Sequence, residues 1–178
     1  MPAPVLYLLG SAAPPVLDAA KAVRLGRSLG WDVVLGLTPT AADWLRDDLA
    51  GLEELTGHPV KSRYRRPGDP DVLPPADAVL FAPATLNSVN SLALGITTSW
   101  VIGYAAEAIG KGVPLSVMPC TSTALTAHPQ FDRSVETLRG AGVRVLLGEG
   151  FHVPDEPGRG NPAVYPWAAA LQAVTGRG

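Results

Sequence analysis

Four short stretches of the chain gather small and hydroxyl-bearing residues. They are Gly10-Ser11-Ala12, Thr38-Pro39-Thr40, Thr85-Leu86-Asn87-Ser88 behind Pro83-Ala84, and Cys120-Thr121-Ser122-Thr123 behind Pro119. Segments of this kind present backbone N–H groups, hydroxyls and helix N-termini, which together hold an anion without a lysine or arginine clamp. A phosphate-bearing ligand suits them. Taken singly, each could equally be a plain helix cap; four of them shift the balance towards a site. The chain has neither a Gly-x-Gly-x-x-Gly fingerprint nor a Walker lysine, so a dinucleotide or P-loop arrangement is not expected. Cys120 has no histidine near it in sequence to activate it, so it reads as a small buried residue rather than a nucleophile. His58, His128 and His152 read as solvated or packing histidines, although closure of a flap could carry His152 over a site. The cluster Lys61, Arg63, Arg65 and Arg66 reads as a solvent-facing patch, with attraction of an acidic partner as the alternative. Trp31, Trp44, Trp100 and Trp167 read as core or interface residues.

The elements that must position these residues follow from the apolar pattern. Val5-Leu6-Tyr7-Leu8-Leu9 is a continuous apolar run, as expected of a strand buried on both faces. Further strands are expected over 32–37, 78–82, 114–118 and 143–147. Helices are expected over 14–29, with Val16, Ala19, Ala20, Val23 and Arg27 at helical spacing, and from about 40 through Trp44 and Leu45, with Thr40 as cap and Asp43 near the positive end. Others are expected over about 88–95, 98–110, 129–141 and 165–175. Residues 57–75 read as a surface excursion. Residues 148–164, rich in Gly and Pro, read as a mobile flap. Strands alternating with helices predict an α/β fold: a doubly wound parallel sheet, Rossmann-like and flavodoxin-type in three layers, forming a single domain over 1–178. Ligands of such sheets bind beyond the carboxyl ends of the strands, where all four hydroxyl-bearing segments fall.

Composition excludes several classes. A chain of 178 residues has the length of one domain. One cysteine rules out an internal disulfide framework. A net charge of -2 argues against a nucleic-acid binder held by bulk positive charge. No run approaches the length of a membrane span, and the start lacks a basic signal-peptide front, so a cytoplasmic location is expected. Only 17% of residues are charged, which suits a protomer that buries surface against copies of itself.

Together these motifs resemble the homo-oligomeric FMN-containing cysteine decarboxylases, the family of phosphopantothenoylcysteine decarboxylase and the lantibiotic peptidyl-cysteine decarboxylases. Gly10-Ser11-Ala12-Ala13 resembles the family's Gly-Ser-x-Ala-Ala turn. Thr38-Pro39-Thr40-Ala41-Ala42 and Leu55-Thr56-Gly57-His58-Pro59-Val60 resemble its next two segments. Pro83-Ala84-Thr85-Leu86-Asn87-Ser88, continuing to Ala93-Leu94-Gly95-Ile96, is similar to its Pro-Ala-Ser-Ala-Asn-Thr signature and the Ala-x-Gly-Ile downstream. The resemblance covers about residues 5–147. It implies FMN as cofactor, with Gly10, Ser11, Ala12, Thr38 and Thr40 near the ribityl phosphate and ring edge. Thr85, Leu86, Asn87 and Ser88 would form the central binding turn, and Cys120 would line the cofactor. It also implies self-assembly as a homotrimer or dodecamer and a small-molecule or peptide substrate, with no nucleic acid and no membrane.

The chain departs from the family where the family does its chemistry. The family's histidine before the third strand falls on Asp69, and a carboxylate is a far weaker base than an imidazole at neutral pH unless desolvated. The family's Pro-x-Met-Asn-x-x-Met-Trp stretch reads Pro119-Cys120-Thr121-Ser122-Thr123-Ala124-Leu125-Thr126, so its carboxylate-binding asparagine becomes Ser122. No cysteine follows residue 120, and Gly158-Arg159 alone resembles the Gly-Arg flap motif of the pantothenate branch. No catalytic residue is assigned. The expectation is a divergent flavin-dependent enzyme without the standard histidine. The alternatives are a non-catalytic flavin-binding or assembly subunit, or a same-fold protein binding another phosphorylated ligand.

Overall fold

The computed structural model describes residues 1–175. Five strands form one all-parallel sheet: β1 (Val5–Gly10), β2 (Asp32–Leu37), β3 (Ala78–Ala84), β4 (Leu115–Pro119) and β5 (Arg144–Val145), in the order β2-β1-β3-β4-β5. Along each strand the side chains alternate between two cores, as the period of two demands. Leu6, Leu8, Leu35, Leu80 and Met118 pack on one side with α1 (Ala19–Ser28), α3 (Leu49–Thr56) and α8 (Trp167–Thr175). Tyr7, Leu9, Val34, Phe81 and Val117 pack on the other with α4 (Leu86–Leu94), α5 (Trp100–Lys111) and α7 (Pro129–Gly140). The expected doubly wound, three-layer α/β architecture is therefore present. Because β1 leads outward to β2 and the chain then returns to β3 on β1's other side, the winding reverses between β1 and β3. The carboxyl ends of those strands are where such sheets bind ligands.

Several elements depart from expectation for local reasons. The 14–29 segment opens as a 3-10 turn, Pro14–Asp18, before α1 begins; neither Pro14 nor Pro15 has an N–H to give an α-helical ladder. Within α1 the buried face is Ala19, Ala22, Val23 and Gly26. Gly26, not Arg27, meets the sheet, and a Cβ there would lie 3.0 Å from Val33. Arg27 is exposed and donates to the Leu55 carbonyl instead. Thr40 does not cap α2 (Pro39–Trp44): the helix starts two residues earlier than that cap implies, on Pro39, and Thr38 occupies the cap position without a side-chain bond. Asp43 pairs with Arg46. Two helices were not anticipated. One is α3, closed by Gly57 at φ 76°; the other is the single turn α6 (Thr123–Thr126), capped by Ser122. β5 is two residues long, not five, because it pairs with β4 alone and the chain leaves at Leu147 to form a bridge with His152.

The 57–75 excursion lies along the outer edge of β2. Lys61 bridges Gly36, its N–H donates to the Leu35 carbonyl at 3.0 Å, and Leu37 N–H donates to its carbonyl at 2.8 Å. This covers an edge that would otherwise present unpaired backbone groups. Trp31 and Trp167 are core residues, Trp100 is half-buried against Tyr7 and Tyr104, and Trp44 is exposed. The four basic residues are half-buried or exposed, and Arg65 pairs with Asp71 at 3.3 Å.

Candidate functional site

The carboxyl ends of β1, β3 and β4 are stitched together by backbone bonds. Ser11 N–H donates to the Pro83 carbonyl at 2.8 Å, and Cys120 N–H donates to the Ala84 carbonyl at 2.8 Å. Thr38 N–H reaches the Gly10 carbonyl at 2.9 Å from the end of β2. Three of the four hydroxyl-bearing segments thus meet at one place, and the fourth is tied in beside them. Above them is a cavity of about 630 Å³, within the size range of small-molecule sites, roughly 300–1,000 Å³.

One end of the site is a cradle of hydroxyls at a helix N-terminus. Thr85 caps α4, its Oγ1 accepting from Ser88 N–H at 3.3 Å. Thr85 Oγ1 also donates to Ser88 Oγ at 3.2 Å, and Ser88 Oγ shares a 2.7 Å hydrogen bond with Ser11 Oγ. The N–H groups of Leu86 and Asn87 stand in the first turn, where helix geometry provides no acceptor, and the helix dipole makes that end positive. Of the residues expected to hold a ligand, Ala12, Thr85, Leu86 and Cys120 line the cavity. Gly10, Ser11 and Ser88 are buried behind that lining. Thr38 is half-buried, and Thr40 and Asn87 are exposed; none of these three lines the cavity.

The opposite wall comes from residues 151–166. Thr123 N–H donates to the Asp155 carbonyl at 2.8 Å, and Ser122 and Asp155 form a bridge, so this segment is docked on the end of β4. Phe151, His152, Asp155, Glu156, Asn161 and Tyr165 line the cavity from this side. Tyr165 is buried and donates its hydroxyl to the Met118 carbonyl at 2.9 Å; its ring lies 5.6 Å from that of His152. Burial holds the Tyr165 hydroxyl well above the usual tyrosine range. Burial first, and the nearby Asp155 carboxylate second, push the Cys120 thiol up to about 11. Thr121 Oγ1 is buried beside the cavity with no hydrogen-bond partner among the described residues. His152 and Tyr165 complete the wall that the strand ends begin. His152 was visible in the sequence as a residue that closure of the 148–164 segment could carry over a site; Tyr165 was visible only as an aromatic residue just after that segment.

The residues at the two departures have other work. Asp69 is exposed on the excursion, where its carboxylate accepts from Arg66 N–H at 2.9 Å and closes a turn. Ser122 lines the cavity, but its hydroxyl accepts from Leu125 N–H at 3.4 Å as the cap of α6. Among the described residues no His, Cys, Asp or Glu group could hold a metal ion, and no helix is long and apolar enough to cross a membrane.

The family model for flavoproteins matches residues 10–177. No curated protein matches the chain. Among solved structures, MrsD from Bacillus sp. HIL-Y85/54728 superposes with TM-score 0.71 at 20% identity, covering 97% of this chain and 94% of its own. The FMN-dependent cysteine decarboxylase TvaF from thioviridamide biosynthesis gives TM-score 0.66 at 24% identity, covering 79% of this chain and 88% of its own. A PPC decarboxylase variant complexed with pantothenoylaminoethenethiol gives 0.62 at 18%, covering 86% and 87%.

Proposed function

The chain belongs to the flavoprotein family, and on that premise we propose that it binds FMN in the cavity at the ends of β1, β3 and β4. There it serves as a divergent flavin-dependent enzyme acting on a small molecule or peptide. The observation that carries this is the cradle of Ser11, Thr85 and Ser88 at the α4 N-terminus, opening into a cavity of about 630 Å³.

The residues present fit FMN. A phosphate would accept from the N–H groups of Leu86 and Asn87 and from the serine and threonine hydroxyls, in the positive field of the helix end. Ala12, on the cavity lining, leaves the approach free of a bulky side chain, and Thr38, Thr40 and Asn87 would meet the cofactor from the more exposed side; Gly10 lies behind the lining, where a Cβ would meet Val16 at 3.0 Å. Thr121 Oγ1, buried without a partner among the described residues, is a hydroxyl awaiting a polar edge. Leu86, Phe151 and Cys120 supply apolar surface for a flat ring, the Cys120 thiol being un-ionised at neutral pH. When bound, FMN supplies an acceptor and donor of electron pairs, while the protein supplies orientation and electrostatics.

The proposed reaction is not the family's standard decarboxylation. Asp69 is engaged in its own turn on an exposed excursion, and Ser122 is engaged as a helix cap, so neither is free for the role its position has in the cysteine decarboxylases. The flap, a homotrimeric or dodecameric assembly and a cytoplasmic location belong to the same proposal. Purified protein should be yellow, with a flavin spectrum that denaturation releases as FMN. Colourless protein that gains no thermal stability from added FMN would sink the assignment. With FMN bound, anaerobic incubation with cysteine-ended peptides and phosphopantothenoylcysteine should release no carbon dioxide; its release, followed by mass spectrometry, would overturn the reading of Asp69.

A further inference from the structure

The wall that residues 151–166 build opposite the strand ends carries two carboxylates, Asp155 and Glu156, and no lysine or arginine lines the cavity. Arg159, between the lining Gly158 and Gly160, is exposed, lines no part of the cavity and makes no ion pair among the described residues. The other titratable groups on the lining are Cys120, His152 and Tyr165. Burial keeps the Cys120 thiol and the Tyr165 hydroxyl protonated near neutral pH, and His152 Nε2 is met by the Thr121 backbone. Asp155 is half-buried and fixed through its main chain: its carbonyl accepts from Thr123 N–H at 2.8 Å, and it bridges Ser122. Its Oδ2 lies 3.6 Å from where a Cβ on Gly160 would stand, and after burial its charge is the second cause that raises the Cys120 thiol. The carboxylate itself has no hydrogen bond or ion pair among the described residues. A charge drawn out of bulk water without a partner is unfavourable, and a cation that brings charge-assisted hydrogen bonds offsets this.

A second observation falls next to the first. Thr121, which precedes the Ser122 bridged to Asp155, is 8% exposed and lines the cavity. Its Oγ1 has no hydrogen-bond partner among the described residues. A hydroxyl has one hydrogen to give and two lone pairs. With its hydrogen on the polar edge of a flavin, its lone pairs still accept from an N–H.

We propose that this cavity selects a ligand bearing an organic cation, an ammonium or a guanidinium, which pairs with Asp155 and donates to Thr121 Oγ1. Among the described residues no group could hold a metal ion, so the cation is part of the ligand. The same wall turns away a ligand that ends in a carboxylate: Asp155 and Glu156 oppose its charge, and the Ser122 hydroxyl is spent on its helix cap. The proposal rests on the flavin reading above for the chemistry done on the ligand, but not for the charge that selects it.

Two experiments test it. Cys120, the chain's single cysteine, reports the charge around it. The protein as purified is treated with two methanethiosulfonates of similar size, one ending in trimethylammonium and the other in sulfonate, and the two rates at Cys120 are divided. Both reagents need the same thiolate, so its scarcity cancels in the ratio. Relative to the urea-unfolded chain, the folded protein should favour the cationic reagent about tenfold or more, the local enrichment that a charged cleft produces. Asp155→Asn should remove most of that preference and Asp155→Glu should keep it; any FMN phosphate adds its charge equally to all three. Native protein without the preference, or Asp155→Asn protein that retains it, overturns the proposal. Next, the protein is titrated by calorimetry with 2-phenylethylamine, 2-phenylethanol and 3-phenylpropanoate, which share a ring for the apolar lining and differ at the polar end. The amine should bind about tenfold or more tighter than the alcohol, as for a hydrogen bond to a charged group, and the carboxylate more weakly than either. Asp155→Asn and Thr121→Val should each narrow the amine's advantage. Native protein that holds the amine no tighter than the alcohol, or an advantage left intact in both variants, overturns the proposal. Protein that takes up no FMN defeats the flavin reading instead and leaves both comparisons standing, since neither reads the flavin.

Discussion

Ser11 and Ser88 are 2% and 1% exposed, and their hydroxyls share one hydrogen bond behind the cavity wall. Removing the Ser88 hydroxyl leaves that of Ser11 buried and without its partner, at a cost of about 1–3 kcal/mol, whereas removing both leaves only the half-buried Thr85 hydroxyl short of an acceptor and is closer to neutral. Ser88→Ala should therefore lower the melting temperature by several degrees, and Ser11→Ala with Ser88→Ala should recover much of the loss. If the pair also holds the FMN phosphate, the double variant should remain at least tenfold weaker for FMN while it melts like the native protein. Recovery of both together would make the pair purely structural. Cys120 allows a pH test of burial. With the thiol near 11, only about one part in a thousand is thiolate at pH 8, since thiolate is the reactive form. Alkylation by iodoacetamide should be slow at pH 8 and rise about tenfold per pH unit up to about 10; a plateau below pH 9 would contradict the buried site. Residue types alone marked Ser11 and Thr85 as candidates, because hydroxyls after strands are visible in sequence; Cys120 was marked only by the family resemblance. That Thr40 and Asn87 are exposed was not visible, since it depends on where each helix begins and how it rotates.

Secondary elements were legible where burial decides them and obscure where local chemistry does. β2 matches its expected limits because Asp32–Leu37 is buried almost throughout. α3 went unnoticed although Leu49, Leu52 and Thr56 keep helical spacing and Gly57 follows as a stop; the charged Glu53 and Glu54 and the adjoining Pro- and Gly-rich stretch hid it. β5 was overestimated because Val143 and Val145-Leu146-Leu147 look like strand, while parallel pairing with β4 extends only over Arg144 and Val145. The excursion, which composition marked as surface, is anchored at one point by Tyr64. Its hydroxyl donates to the Thr97 and Ser99 carbonyls at 2.9 and 3.1 Å, over Gly103 of α5. A Cβ on Gly103 would stand 2.2 Å from that hydroxyl. Gly103→Ala should therefore displace Tyr64 and raise the rate of proteolytic nicking within 62–75 about tenfold, leaving the FMN spectrum unchanged because none of Tyr64, Thr97, Ser99 and Gly103 lines the cavity. A Cβ on Gly36 would likewise be too close, 2.7 Å from the buried Leu9 and 2.8 Å from Trp100. Gly36→Ala should cost about 1–3 kcal/mol of stability through overpacking, read by chemical denaturation.

The charge content of 17% becomes informative once it is placed on the molecule. Leu125, Val153 and Val164 are exposed, Leu125 by 47%, and all three line the cavity mouth. An apolar rim around an open cavity leaves one side of a bound flat ring in water, and a second copy of the chain laid across that rim would exclude it. Assembly and FMN binding should then be linked, because whatever binds the assembled state preferentially also stabilises it. Light scattering of the FMN-loaded protein should give a trimer or dodecamer, and removing FMN should shift the mass downward on dilution. Leu125→Glu places a charge on the rim without touching the Ser11–Ser88 cradle, so it should lower both the mass and the FMN affinity, the latter about tenfold or more. Leu94→Glu, at the far end of α4 from the cavity, should leave FMN affinity unchanged at a protein concentration where Leu125→Glu has lost it. A native protein that scatters as a monomer at every concentration, with an FMN affinity indifferent to Leu125→Glu, would mean that one chain closes its own site. The apolar rim would then belong to the substrate and not to a neighbouring copy.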